Sequence, residues 1–363
     1  MEALVTCVAG LEQVTLAELE SQLNKKGTIV QPGFITFSAT KEELATFTYY
    51  SRSILSALAL INHFAFTDYE ELKNKLTSLT YSDLQSPFAV RCEREGEHAF
   101  TSQEVEKHVG AHIHDTLNLE VNLEQPASVV LIHIKDLYCF AGLDYAGYKL
   151  SKREYRVKTH PHSLNPVLAF DLLSIAGWKP NETLLDPFSK SGEIIIEAAL
   201  STQEAPSAFH YEEQLLCSKF LKLPEPKIKE KKLDIHSIDN LHINVRNAEV
   251  NAKLANAAKD IQFSRMDLEW LDTKFEKNSI DKIITVPPSP SKIVTEKDAH
   301  KITKELFYQA AFILTAKGTL TLLTKKPSAY KEASEQHGFH VDHEVTFDYG
   351  NDIYFILTFV KNI

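Results

Sequence analysis

The residues best suited to chemistry in this 363-residue chain stand where short apolar runs give way to loops. The first such place is Leu185-Asp186-Pro187-Phe188-Ser189-Lys190-Ser191-Gly192-Glu193. A loop joining the carboxyl end of a strand to a helix is where open α/β sheets bind nucleotides. It matches neither G-x-x-x-x-G-K-[ST] nor G-x-G-x-x-G, so it is not a P-loop and speaks only weakly for a dinucleotide. Asp239 follows Asp186 by 53 residues, and by 21 once the Pro- and Lys-rich stretch 201–232 is set aside. An acid about 20 residues beyond such a loop accepts ribose hydroxyls; the same spacing equally suits a helix N-cap ahead of Asn240. Asp267 and Leu268 follow a third apolar run, where a carboxylate can accept from an exocyclic amine. The fourth run ends in Val286-Pro287-Pro288-Ser289-Pro290. Proline cannot join a sheet ladder, so this exit is rigid and presents its carbonyls in fixed directions.

The elements that position these loops read as an α/β rhythm from about residue 164 onward. Strands are expected at 183–186, 233–239, 261–264, 280–286 and 319–324, with helices from Gly192, over 240–258 and over 301–315. Strands alternating with helices imply a parallel sheet. The last two strands, 339–347 and 353–360, are joined by only five residues and must be antiparallel. The earlier half differs. Thr15-x-x-Glu18, Thr40-x-x-Glu43 and Thr101-x-x-Glu104 have the capping-box pattern, and Thr67 is expected to cap a further helix. Val105, Val109, Ile113 and Leu117 recur at i+4 on one expected helix face. Strands 129–134 and 138–144 form a hairpin around Lys135-Asp136.

Composition bounds the function classes. Hydrophobic residues make up 44% and charged residues 24%, which excludes disorder and leaves material for two or three domains. No run of eighteen apolar residues marks a membrane span, and the N-terminus lacks a signal-peptide pattern. Cys7, Cys92, Cys139 and Cys217 form no C-x-x-C pair, so neither a disulfide framework nor a structural zinc is expected, and the sparse cysteines suit the cytoplasm. His108 and His112, four apart with His114 nearby, lack a third ligand, so no metal site is assigned. The net charge of −10 excludes a generally cationic nucleic-acid binder but leaves local basic stretches. One carries Lys149, Lys152, Arg153, Arg156 and Lys158, with His160 and His162 following. Another carries Lys219, Lys222, Lys227, Lys229, Lys231 and Lys232. A solvated linker is the competing reading of both.

Several segments together resemble one family. Val5-Thr6-Cys7-Val8-Ala9-Gly10-Leu11-Glu12, the stretch Arg91 to Ser102, Leu150-Ser151-Lys152-Arg153-Glu154-Tyr155-Arg156 and Leu184 to Ile194 are similar, in order, to motifs of the THUMP-domain RNA methyltransferases. The likeness is to the archaeal tRNA and bacterial 23S rRNA guanine-N2 types. It implies α/β and α+β multidomain architecture: a ferredoxin-like domain at 1–61, a THUMP RNA-binding domain at 62–156, a linker at 157–166, and a Rossmann-like class I methyltransferase domain at 167–363 with an antiparallel terminal hairpin and an insertion at 201–232. It further implies S-adenosylmethionine held by Asp186, Pro187, Ser189, Lys190, Ser191, Gly192, Asp239, Asp267 and Leu268. RNA, tRNA in particular, would be held by Arg91, Arg94, Lys149, Lys152, Arg153, Arg156 and Lys158, on a monomer.

The resemblance places the catalytic loop at Val286, Pro287, Pro288 and Ser289. In the family this loop reads N/D-P-P-Y/F: the Asn or Asp side chain and the first proline's carbonyl accept from the target amine, and the aromatic stacks on the flipped base. Here valine offers no side-chain acceptor and serine no π-face, and Lys190 replaces a glycine of the cofactor loop. Two readings follow. One is a guanine-N2 methyltransferase that relies on the peptide carbonyls at Val286 and Pro287. The other is an inactive relative serving as an RNA-binding scaffold or partner protein.

Overall fold

Near-continuous apolar runs in Glu2–Cys7 (β1), Phe34–Ser38 (β3) and Ile54–Ala65 (β4) form the middle of the first of two sheets. The computed structural model describes residues 1–207, 213–226, 228, 232–291 and 294–362. Its chain divides into two compact units. The first comprises Met1–Cys7, Thr15–Leu150 and Ser207–Glu225; the second comprises Val8–Val14, Ser151–Pro206 and the residues from Pro226 onward.

The first unit carries a seven-stranded sheet. Thr28–Gln31 (β2), Phe88–Glu95 (β5), Ser128–Lys135 (β6) and Tyr138–Asp144 (β7) complete the order β2-β3-β1-β4-β7-β6-β5, antiparallel except where β5 runs parallel to β6. The expected hairpin around Asp136 is β6–β7, its turn residue held at φ +51°. Capping boxes open Lys41–Tyr50 (α2) at Thr40 and Ser102–Leu117 (α4) at Thr101. Two expected caps shift. The helix Glu12–Leu23 (α1) already contains Thr15, because Glu12 takes the Gly10 N–H at 2.9 Å and starts the helix three residues earlier. Tyr69–Thr77 (α3) is capped by Asp68, whose carboxylate is the stronger acceptor, while Thr67 bonds Glu71. Leu117, expected on the buried stripe of α4, is exposed in its last turn. All four cysteines are free and buried.

Part of the stretch expected as an insertion belongs to this first unit. Leu216 N and Cys217 N donate to the carbonyls of Ala146 and Tyr145, and Leu215 and Cys217 lie in the same core as Tyr145 and Leu150. Lys219 Nζ bonds the Pro126 carbonyl at 2.8 Å. Lys227, Lys229 and Lys231 of that basic stretch lie outside the described residues.

The second unit has the strand order β10-β9-β8-β11-β12-β14-β13. Leu184–Asp186 (β8), Ile235–Asp239 (β9), Ile261–Arg265 (β10), Ile280–Thr285 (β11) and Leu314–Thr324 (β12) are parallel. Asp352–Lys361 (β14) and Phe339–Tyr349 (β13) close the sheet as an antiparallel hairpin. The helices are Pro166–Ile175 (α5), Glu193–Thr202 (α6), His242–Leu254 (α7), Leu271–Lys274 (α8), Glu296–Ile313 (α9) and Pro327–Gln336 (α10). From β8 the chain runs outward through β9 and β10 on one side, then returns to β11 and β12 on the other. The order reverses between β8 and β11, and that is where such sheets open a ligand crevice at their carboxyl ends. The core beneath is built from Leu185, Ile283, Leu306, Phe307 and Leu357 and their neighbours.

Candidate functional site in the second unit

The loop after β8 is shaped by two left-handed residues, Lys190 at φ +48° and Gly192 at φ +88°. At Gly192 an added Cβ would meet the Ala248 Cβ at 3.0 Å, so glycine is needed for the loop to pack on α7. At Lys190 the same region is taken by a residue that rarely adopts it. Ser189 is pinned to β9, its N–H and hydroxyl both donating to the Ile238 carbonyl. Ser191 donates to Glu193, and its carbonyl takes the Asn251 amide at 2.9 Å. These two serines therefore use their polar groups to tie the loop to β9, α6 and α7. Pro187 is buried beside them.

Two carboxylates flank the loop. Asp186, buried, accepts from Thr285 Oγ1 at 2.6 Å and from the Phe188 N–H at 3.1 Å. Burial pushes its carboxyl up to about 7, against those bonds and the nearby Lys190 charge. Asp239 accepts from Lys190 N at 3.1 Å with one oxygen, and from Leu241 N and Asn244 Nδ2, each at 3.0 Å, with the other. It does not cap α7, whose N-cap is Leu241 without a side-chain bond. The oxygen that takes Lys190 N keeps one acceptor site, and the other has used both of its own. Asp267 is exposed and Leu268 half-buried at the end of β10.

On the other side, β11 ends at Thr285, so the Val286-Pro287-Pro288-Ser289 loop begins at the strand exit, with Pro287 buried and Ser289 exposed. Lys190 Nζ reaches across and donates to the Val286 carbonyl at 2.8 Å. Between the two loops opens a narrow cleft, lined by His162, Leu164, Asp186, Phe188, Ser189, Lys190, Glu193, Ile194 and Val286. The sequence reading assigned no site role to Leu164, Phe188, Glu193 or Ile194. Phe188 and Glu193 lie within or beside the quoted motif, and that adjacency was the available signal. The sequence leaves His162 open between a plain linker position and a group that touches RNA or cofactor, and the structure puts it in the lining of this cleft. Asn165, which caps α5 from the same segment, reaches Tyr349 OH at 3.0 Å.

The cationic residues separate sharply. Lys152 and Lys158 are exposed, and Lys149 is exposed with Glu93 at 3.3 Å. Arg153, expected to face RNA, is instead buried: its guanidinium meets Glu197 at 3.1 Å, their side chains 2% and 0% exposed, and Tyr155 OH bonds the same carboxylate. Arg156 pairs with buried Glu193 at 3.2 Å. In the first unit, Arg91 bonds the Leu123 carbonyl, and Arg94 bonds Ser102 with its guanidinium 5.4 Å from the Phe100 ring. Among the described residues, no group of three or more potential metal ligands stands together, and no helix is long and apolar enough to cross a membrane.

The profile of the RMKL-like methyltransferase domain matches residues 153–353, more than half of the chain. This protein belongs to that family. A THUMP domain matches residues 66–144. The chain is 29% identical to the tRNA (guanine(6)-N2)-methyltransferase of Archaeoglobus fulgidus, with 98% of this chain and 91% of the relative covered. It is also 29% identical to that of Methanocaldococcus jannaschii, with 96% and 97% covered. Among solved structures it is similar to TrmN from Thermus thermophilus, with a TM-score of 0.75, 25% identity and 99% of both chains covered. The Rossmann-like sheet with an antiparallel hairpin, the THUMP domain and the multidomain α/β architecture are as the sequence resemblance implied.

Proposed function

We propose that this protein transfers a methyl group from S-adenosylmethionine to the exocyclic N2 amine of a guanine in tRNA, acting as a cytoplasmic monomer. The observation that carries the reading is the near-complete, two-sided coverage by tRNA (guanine(6)-N2)-methyltransferases, which spans the THUMP domain and the catalytic domain together.

The donor set suits the cofactor's nucleoside end. Asp239 keeps one acceptor site, on the oxygen that takes Lys190 N, for a ribose hydroxyl, and Asp267 and Leu268 stand at the next strand end for the base. When bound, the cofactor supplies an electrophilic methyl on sulfur. The protein's part is orientation. The Val286 carbonyl accepts an N–H of the amine and so turns the nitrogen lone pair toward the methyl. The amine so turned would be placed to take the methyl, and the proton it would shed has a way out to solvent. Pro287 and Pro288 fix the carbonyl's direction. Lys149, Lys152 and Lys158 are the exposed cations proposed to meet phosphates, together with Arg91 and Arg94 of the THUMP domain. Arg153 and Arg156 support α6 from beneath.

The test is incubation of the full chain with methyl-labelled S-adenosylmethionine and unmodified tRNA transcripts, followed by nucleoside mass spectrometry. N2-methylguanosine is expected. Absence of label, with no calorimetric binding of the cofactor, removes the enzyme reading and leaves the RNA-binding scaffold.

A further inference from the structure

We propose that Lys190 and the Val286 carbonyl together read the amidine face of the target base, the carbonyl accepting an amine N–H while the lysine ammonium donates to the ring nitrogen beside it. The inference rests on the methyl-transfer reading above and names the contact that orients the base.

The pair is built into the backbone. Lys190 holds φ +48°, a region L side chains rarely adopt and keep only where the surroundings over-determine it. Two contacts do so: its N–H donates to Asp239 at 3.1 Å, and its Nζ donates to Val286 O at 2.8 Å. This conformation carries the side chain from the loop after β8 to the exit of β11, and both residues line the cleft. An ammonium has three protons, and among the described residues Nζ uses one. A carbonyl has two lone pairs, and the lysine takes one. What remains is a donor and an acceptor side by side. Asn and Gln use the same donor–acceptor pairing, at a wider spacing, to read the amine and N7 of adenine. The Val286 side chain can do neither job; the lysine, a donor only, does not replace the acceptor an Asn or Asp would give but adds a contact to the ring nitrogen from the neighbouring loop.

Guanine fits in one sense only. Its 2-amine lies between N3, an acceptor, and N1–H, a donor, so N3 must face Lys190. Uracil offers no amine to the carbonyl. Burial pulls the Lys190 ammonium below its usual range, and Asp186, Glu193 and Asp239 offset part of that cost.

The test uses the full-length protein with S-adenosylhomocysteine, titrated by saturation-transfer NMR with guanosine and with 3-deazaguanosine, in which a C–H replaces N3. Wild type is expected to bind guanosine about tenfold more tightly, the size of one lost charge-assisted hydrogen bond. Lys190→Met is expected to bind both nucleosides alike. So is Lys190→Gly, which relieves the positive φ and so separates a lost contact from a disturbed loop. Equal affinities in wild type, no guanosine binding, or a preference that survives in both variants overturns the proposal. Failure of the functional reading shows separately, as no label passing from methyl-labelled S-adenosylmethionine to tRNA.

Discussion

Asp186 is a carboxyl group with one short hydroxyl bond, one backbone bond and little water, and burial raises it from 3.8 to about 7. The folded state therefore holds its proton more tightly than the unfolded chain does. Relative to a neutral isostere, stability falls as pH rises from about 4 to about 7 and then levels off. Asp186→Asn should be close to wild type in unfolding free energy at pH 4 and more stable by a few kcal/mol at pH 8, at about 1.4 kcal/mol per pKa unit. Denaturant melts of the cofactor-free protein at both pH values check this, and an unchanged difference contradicts it. A second residue-scale expectation concerns Arg153 and Glu197. Removing one partner of a buried ion pair costs roughly 3–5 kcal/mol, so Glu197→Ala should lose about that much stability. If Glu197→Ala melts with wild type, the pair is not structural. The motif that holds Lys152 and Arg153 next to each other in sequence hid this split. Neighbours on an irregular segment face different ways, and only Glu197 on α6, 44 residues on, decides which of them is buried. Lys190 was legible as a departure from the family loop. Its reach to Val286 was not, because that depends on one backbone angle.

At the scale of elements, hydrophobic rhythm made the α/β half readable. The parallel strands, their helices and the antiparallel hairpin stand close to their expected places, since each is a run of apolar residues bounded by polar turns. What escaped was the segment around Leu215-Leu216-Cys217. Three apolar residues inside a Lys- and Pro-rich stretch carry no periodicity, and their partners, Tyr145 and Ala146, lie some seventy residues earlier. The segment reads as an interruption of the second unit but packs as part of the first. Leu215 is fully buried, so Leu215→Ala should destabilise the first unit by about 2–5 kcal/mol. Hydrogen exchange gives the location: protection should fall in β4 and in the 145–150 segment before it falls in β8–β12. Loss of protection confined to the second unit would show that the segment is not a strap on the first. The early start of α1 and the Asp68 cap of α3 escaped for a smaller reason. Several residues near a helix start can cap it, and the best local acceptor wins.

For the whole molecule the question is how a chain of net charge −10 holds a polyanion. Its long-range field opposes approach, so affinity must come from a few cations placed where phosphates pass, and must fall steeply with salt as counterions are released. The structure narrows the candidates. Lys152 and Lys158 are exposed and Lys149 has only an exposed partner, Glu93, whereas Arg153 and Arg156 are committed to buried glutamates. Neutralising a true phosphate contact lowers the slope of log affinity against log salt by about one, and weakens binding uniformly across sequences. Lys152→Ala and Lys158→Ala should each do this in filter-binding titrations of a tRNA transcript from low to moderate salt, with melting temperatures unchanged. Lys149→Ala should do less, because Glu93 already partly neutralises that lysine. Arg156→Ala should leave the slope as it is and lower the melting temperature instead. If Lys152→Ala and Lys158→Ala keep the wild-type slope, the RNA path does not cross this segment, and the THUMP cations Arg91 and Arg94 must carry the contact without it.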